Sequence, residues 1–394
     1  MRLRIVYHVK SICEYLNLYK NSFGERSYKY VIMLVHAMIL LEGQINCLRV
    51  SQQWYEKVAH QRISDFLNQG KVNIRELNNE RVKHLLELAV KHPQNQDLLG
   101  EYLLFSIDPS DFKKYKKEKS QGVRWSGDGK SKYLTHSFVL SSFIYGESTI
   151  PFKKSLYWGK KSSKKRPSKA EIYLKLARKA EQWLKYDKQG IIVMDGEGCN
   201  KKILKAIHEN KAWRGFVTKF PRTRNIIING NKIHIRKYLA NLMQSDFSIK
   251  KIKGKDISYH TFQATVPSLE FLGTCSFVVI QDEKNNLDQK TFRVLITDIL
   301  SLTTEQILTI YARRWKQETY HQIIKCNLGV KSYKQRNLKA VICLLELADL
   351  AFSFLETQRL TQTPWQPSLS QVRNSIMADF QAQLSVSRPL PLVA

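Results

Sequence analysis

The stretch Tyr311-Ala312-Arg313-Arg314-Trp315-Lys316-Gln317-Glu318, carried on as far as Lys325, decides how the chain is read. Thr303-x-x-Gln306 ahead of it is a helix start, with Thr303 as cap and Gln306 reaching back. At about 100° per residue, Tyr311, Arg314, Glu318 and Lys325 fall within an arc of roughly 60°. Ile307, Leu308, Trp315 and Ile324 supply apolar surface to dock the helix. The stripe therefore offers a carboxylate flanked by two cations and a phenol, a set suited to a metal held beside phosphate. The bland alternative is a solvated helix face with incidental ion pairs, which are worth little.

Working outward, two more acids stand at the ends of apolar runs. Tyr102-Leu-Leu-Phe-Ser-Ile-Asp108 predicts a buried strand that Pro109 stops, delivering Asp108 at its carboxyl end. A carboxylate at a strand end is a rigid ligand with an open side. Asp111 lies three residues on, and Asp128 in Ser126-Gly-Asp-Gly129 is a rival first acid. Turns recruit Asp for backbone reasons, so Asp108 is preferred. Gly190-Ile-Ile-Val-Met-Asp195 repeats the device. A helix over 200–210 and a Phe216-Val-Thr-Lys-Phe strand complete a βαβ-like unit. Between the acids, runs 134–145 and 149–158 predict an antiparallel pair, and Ser168-x-x-Glu171 opens an amphipathic helix carrying Ile172, Leu176 and Ala180. Basic segments at 113–119 and 159–168 are either solvated surface or a clamp on a phosphate backbone.

Bulk properties agree with an anionic partner. The chain has 394 residues and a net charge of +30, which points to nucleic acid first and a membrane surface second. The longest apolar run, 31–41, is too short to span a bilayer, and no secretory signal is evident. Six cysteines without a CxxC pair are read as free thiols in a reducing cytosol. Residues 1–98 predict a helical domain, either a DNA-end-binding module or a scaffold. Residues 222–290 hold short β-branched runs, including a hairpin at Asn229-Gly230. Trp213 is assigned to the core. An apolar helix over 338–355 has Glu346 and Asp349 as outward or capping charges. Residues 356–394 are a proline-bearing tail around one short helix, 371–384.

The spacing Tyr311-x2-Arg314-x3-Glu318-x6-Lys325 resembles the YREK signature of the insertion-sequence-4 group of DDE transposases. The order of strands, helices and acids over roughly 100–345 is also similar to that group. Many relatives carry acid-acid-Thr or acid-x-Thr at the first Asp, whereas this chain has Asp108-Pro-Ser-Asp111. The resemblance implies an α/β catalytic core of ribonuclease H-like fold (99–221 and 291–355), with a mostly β insertion at 222–290. An all-α N-terminal domain would precede it, and a C-terminal segment at 356–394 would serve pairing. It implies Asp108, Asp195 and Glu318 as catalytic metal ligands for two Mg²⁺ ions, or Mn²⁺ as substitute, about 3.5–4 Å apart. Tyr311, Arg314 and Lys325 would hold the DNA strand end. The partners implied are double-stranded DNA with terminal inverted repeats, target DNA and a second copy of the chain in a synaptic homodimer. The setting implied is a prokaryotic cytoplasm. A silent transposase-derived DNA-binding protein and a general ribonuclease H-like nuclease are the alternatives.

Overall fold

The computed structural model describes residues 5, 8–95, 102–114, 120–127, 132–159, 166–184, 189–228, 230–251, 258–269, 272–282, 291–361 and 367–386. In chain order the helices are α1 (Lys10–Asn17), α2 (Glu25–Leu40), α3 (Cys47–Gln53), α4 (His60–Gln69), α5 (Ile74–Lys91), α6 (Lys169–Ala180), α7 (Lys201–His208), α8 (Ile235–Ala240), α9 (Thr304–Arg313), α10 (Trp315–Gln322), α11 (Leu338–Thr361) and α12 (Leu369–Val386). The strands are β1 (Tyr102–Lys114), β2 (Arg124–Ser126), β3 (Tyr133–Tyr145), β4 (Ser148–Tyr157), β5 (Gln189–Met194), β6 (Gly215–Phe220), β7 (Asn225–Ile228), β8 (Asn231–His234), β9 (Ser248–Lys251), β10 (Ser258–Leu269), β11 (Gly273–Asp282) and β12 (Arg293–Thr297). A helical N-terminal region thus leads into a mixed α/β sheet region.

The chain groups into two compact units. One comprises Met1–His92, Ser110–Phe138 and Thr319–Ala394, the other Pro93–Pro109 and Val139–Glu318. In the first unit α11 is buried on every side, so it needs neighbours all round. It finds them in α2, α4, α5 and α12. The sequence-based boundaries therefore do not coincide with these units. Helix α11 joins the N-terminal helices rather than the acid-bearing strands, and α12 completes the same bundle. Glu346 and Asp349 do not face outward: they are 7% and 2% exposed. The Tyr320 hydroxyl donates to Asp349 Oδ1 at 2.6 Å, so the charge is buried with a donor. Arg81, 1% exposed, likewise donates to Ser353 Oγ and Asn78 Oδ1.

The second unit is built on a sheet in the order β4-β3-β1-β5-β6-β12-β11-β10-β9. Strands β1, β5 and β6 are parallel neighbours. Ile191 to Met194 in the middle of this set are fully buried, as the apolar run requires of a strand covered on both faces. Strands β3 and β4 are joined by Gly146-Glu147 as expected. Strand β12 pairs antiparallel with β6, and β11 and β10 continue outward from it. Much of the 222–290 segment therefore extends this sheet instead of standing apart, and only the β7–β8 hairpin forms its own two-stranded sheet. Its strands pair Ile228 with Asn231 and Gly230 has a φ of 78°, while Asn229, the other residue of the expected turn, lies outside the described residues.

Pro109 does not stop β1, which continues to Lys114. Proline lacks only a donor and accepts extended φ, so a strand can run through it where no N–H is needed. Trp213 is a core residue, 4% exposed and stacked on Phe105 at 5.6 Å between centroids. Trp315, assigned above to docking surface, is instead 60% exposed.

Candidate active site

Strand register brings the first two acids together. Strands β1 and β5 are parallel and pair Ile107 with Met194. Asp108 and Asp195 are the next residues along the two strands, so they stand side by side, Asp195 just past the end of β5 and Asp108 within the longer β1. Equivalent register positions share a face of a parallel pair, so both carboxylates sit on the same side. The Asp195 turn is closed locally: Oδ1 accepts from the N–H of Glu197 (2.9 Å) and of Gly198 (3.3 Å). The Asp195 carbonyl accepts from Thr218 Oγ1 at 2.8 Å, which ties the turn to β6.

The third acid arrives on a helix. Helix α9 begins with the capping box foreseen at Thr303 and Gln306, and Ile307, Leu308 and Ile310 bury its inner face. The expected single helix to Lys325 is interrupted. Around Arg314 the ladder tightens to i→i−3 bonds, Arg314 N to Tyr311 O (3.1 Å) and Gln317 N to Arg314 O (3.0 Å). Past α10 the chain widens into a π-helical turn over Ile323–Asn327, which carries Lys325.

Arg314 is the hub. Its Nη2 donates to Glu318 Oε1 at 2.6 Å, its Nη1 lies 3.9 Å from Asp108 Oδ1, and its Cζ is 5.5 Å from the Tyr311 ring centre. Four of the stripe and strand-end candidates thus meet through one guanidinium, with Asp195 beside Asp108. Lys325 belongs to the other unit, where its Nζ stands 5.0 Å over the Phe112 ring. Asp111 also belongs to that unit and is committed to structure. It accepts from Ser126 (2.7 Å), Ser137 and Tyr133 (3.4 Å), with Arg124 at 3.8 Å. Asp128 lies outside the described residues.

The electrostatics of this arrangement are costly to the acids. Burial, then the neighbouring Asp195 charge, push the Asp108 carboxyl up to about 7, with Arg314 pulling against them. Burial likewise raises Asp195, partly offset by the Gly198 N–H. A third group was not singled out from the sequence. Tyr173 on α6 is 2% exposed, and its hydroxyl has no hydrogen-bond partner among the described residues. Burial first, then Asp195, Asp108 and Glu197, hold its phenol far above the ordinary range. In the sequence it looks like one more large residue on an apolar helix face.

Among the described residues, no three His, Cys, Asp or Glu side chains are grouped so as to hold a metal ion as they stand. The donor set nevertheless fits hard divalent cations in kind: carboxylates alone, two of them raised by burial, one by its neighbour's charge as well. Among the described residues no helix is long and apolar enough to cross a membrane. No protein-family model matches the chain, and no curated protein matches it.

Proposed function

We propose that the chain is a DNA transposase that cuts and joins phosphodiester bonds at terminal inverted repeats, using Asp108, Asp195 and Glu318. The observation that carries the reading is the side-by-side placement of Asp108 and Asp195 at the next step of the β1–β5 register, with Glu318 linked to Asp108 through Arg314. Two sequence-distant carboxylates side by side, with a third linked to them through one guanidinium, are a poor device for stability and a good one for phosphoryl transfer.

Fold order supports the same reading. Counting β1, β3, β4, β5 and β6 as first to fifth, the sheet runs third-second-first-fourth-fifth, with the first, fourth and fifth parallel. That order is compatible with the ribonuclease H-like core implied by the resemblance to the YREK transposases. The charge of +30 suits a polyanionic substrate.

Asp108, Asp195 and Glu318 would hold Mg²⁺, or Mn²⁺ in its place, and the bound cations would activate an attacking water or 3′-hydroxyl and neutralise the leaving oxygen. Arg314 compensates Asp108 and Glu318 in the ligand-free chain, and its planar fork can turn to a phosphate. Tyr311, packed beside it, can donate to a phosphate oxygen or stack on a displaced base. The helical N-terminal region contacts element ends, and a second copy completes the synapse. The test is a metal-dependent cleavage assay on DNA carrying the element ends, beside random-sequence DNA. Cleavage restricted to the ends is expected. Equal cleavage of both would make the chain a general nuclease, and binding without cleavage would make it a silent DNA-binding relative.

A further inference from the structure

Tyr173 does more than fill space. Helix α6 is tied by one ion pair to the turn that carries Asp195 and by another to α7. Lys169 Nζ reaches Glu197 at 2.7 Å and 2.9 Å, and Glu171 reaches Lys202 of α7 at 3.3 Å. The helix start itself is locked by the Ser168–Glu171 capping box. Tyr173 is four residues beyond Lys169, so both lie on one face, one turn apart. That face is the one docked on the acid turn. The ring is packed within the helix's buried stripe of Ile172, Leu176 and Ala177.

A buried hydroxyl without a partner carries a desolvation cost that folding alone does not reward. Packing at this position would be served equally by phenylalanine. A second donor at the site is also spare: Arg314 Nε has no hydrogen-bond partner among the described residues. Both unused groups are donors, in a place otherwise dominated by acceptors. Bare cations have no use for donors, whereas an anionic oxygen has. Burial first, and then the neighbouring acids, keep the phenol protonated, so its hydroxyl is available there as a neutral donor.

We propose that Tyr173 is a ligand-binding residue of the acid site, its hydroxyl donating to a phosphate oxygen held beside Asp108 and Asp195. The assignment rests on the phosphodiester reading above and adds a residue to it.

The test compares Tyr173→Phe with the wild-type full-length chain in three measurements. Ligand-free thermal unfolding is expected to be unchanged or slightly raised in the variant, because an unpartnered hydroxyl is lost. Affinity for Mg²⁺ alone, by titration calorimetry, is expected to be unchanged. Affinity for inorganic phosphate in the presence of Mg²⁺ is expected to fall roughly 10- to 100-fold, the range for a hydrogen bond to a charged group. A lowered melting temperature without ligand would show a structural partner for the hydroxyl and overturn the proposal. So would unchanged phosphate affinity, or an equal loss for Mg²⁺ alone, which would assign the hydroxyl to a metal-bound water. A wild-type chain that cuts no DNA but binds phosphate in a Tyr173-dependent way would remove the transposase reading and leave this one standing.

Discussion

Replacing Asp108 by Asn removes a carboxyl whose folded-state ionisation is opposed from two sides. The group moves from its ordinary 3.8 to about 7 in the folded chain, through burial and then the charge of Asp195. Its side chain is 13% exposed, so solvent screens little of this. Because the folded pKa is the higher one, the folded state binds the proton more tightly than the unfolded chain. The contribution to stability is intact at pH values below the unfolded pKa and is lost as pH rises through the folded one. At about 1.4 kcal/mol per tenfold change in the ionisation equilibrium, the cost is about 1 kcal/mol near pH 4.5 and about 4 kcal/mol near pH 8. Asparagine titrates nowhere in this range. D108N should therefore be more stable than wild type in chelator, by an amount that grows severalfold between those two pH values. Two units make a single global transition an unsafe readout. Hydrogen exchange of β5 peptides under graded urea reports the acid-bearing sheet directly. A D108N gain that does not change with pH, or a loss at both pH values, would refute the assignment of the strain to this carboxyl.

Three further outcomes follow from the same geometry. Glu318→Gln is expected to abolish cleavage while binding to the terminal repeat persists; joint loss in a cleavage and gel-shift pair would give Glu318 a structural role. DNA affinity should fall by roughly 100-fold or more between about 50 and 200 mM salt, as counterion release by a basic surface requires, and a flat response would remove the phosphate-tracking surface. Gly215→Ala should destabilise the second unit by about 2–3 kcal/mol in urea unfolding. A Cβ there would lie 2.2 Å from Asp298 Oδ1, which accepts from Phe216 N at 2.9 Å while Oδ2 pairs with His208. Near-wild-type stability would show that Asp298 has room to move.

What the residues disclose in advance is whatever is local. Apolar runs closed by Asp108 and Asp195 were legible because strands buried on both faces are written as uninterrupted apolar runs. The caps at Ser168 and Thr303 were legible because a capping box is closed within four residues. The tightened turn at Arg314 was not, since helical dihedrals persist through it and only the hydrogen-bond partner changes. The inward charges of α11 were hidden because their partners, such as Tyr320, lie far off in the chain. Tyr173 was hidden for the opposite reason: its lack of a partner is visible only once everything around it is placed.

The non-local fact that matters most is the register of β1 on β5. Two apolar runs that each lead into an acid could have paired one residue out of step, which would have sent the carboxylates to opposite faces. Pairing in step instead sets like charges side by side and adds to the burial that lifts Asp108 to about 7. Strain of this kind is not needed to hold the sheet, since Ile191 to Met194 already bury it completely. Arg314 offsets the strain only in part, reaching Asp108 at 3.9 Å while bonded to Glu318 at 2.6 Å. A site that keeps two acids in register, under-compensated, beside two unused donors, has complementary places for a cation and for an anionic oxygen. A phosphate bound together with a divalent metal brings both at once, and neither alone would answer the whole arrangement.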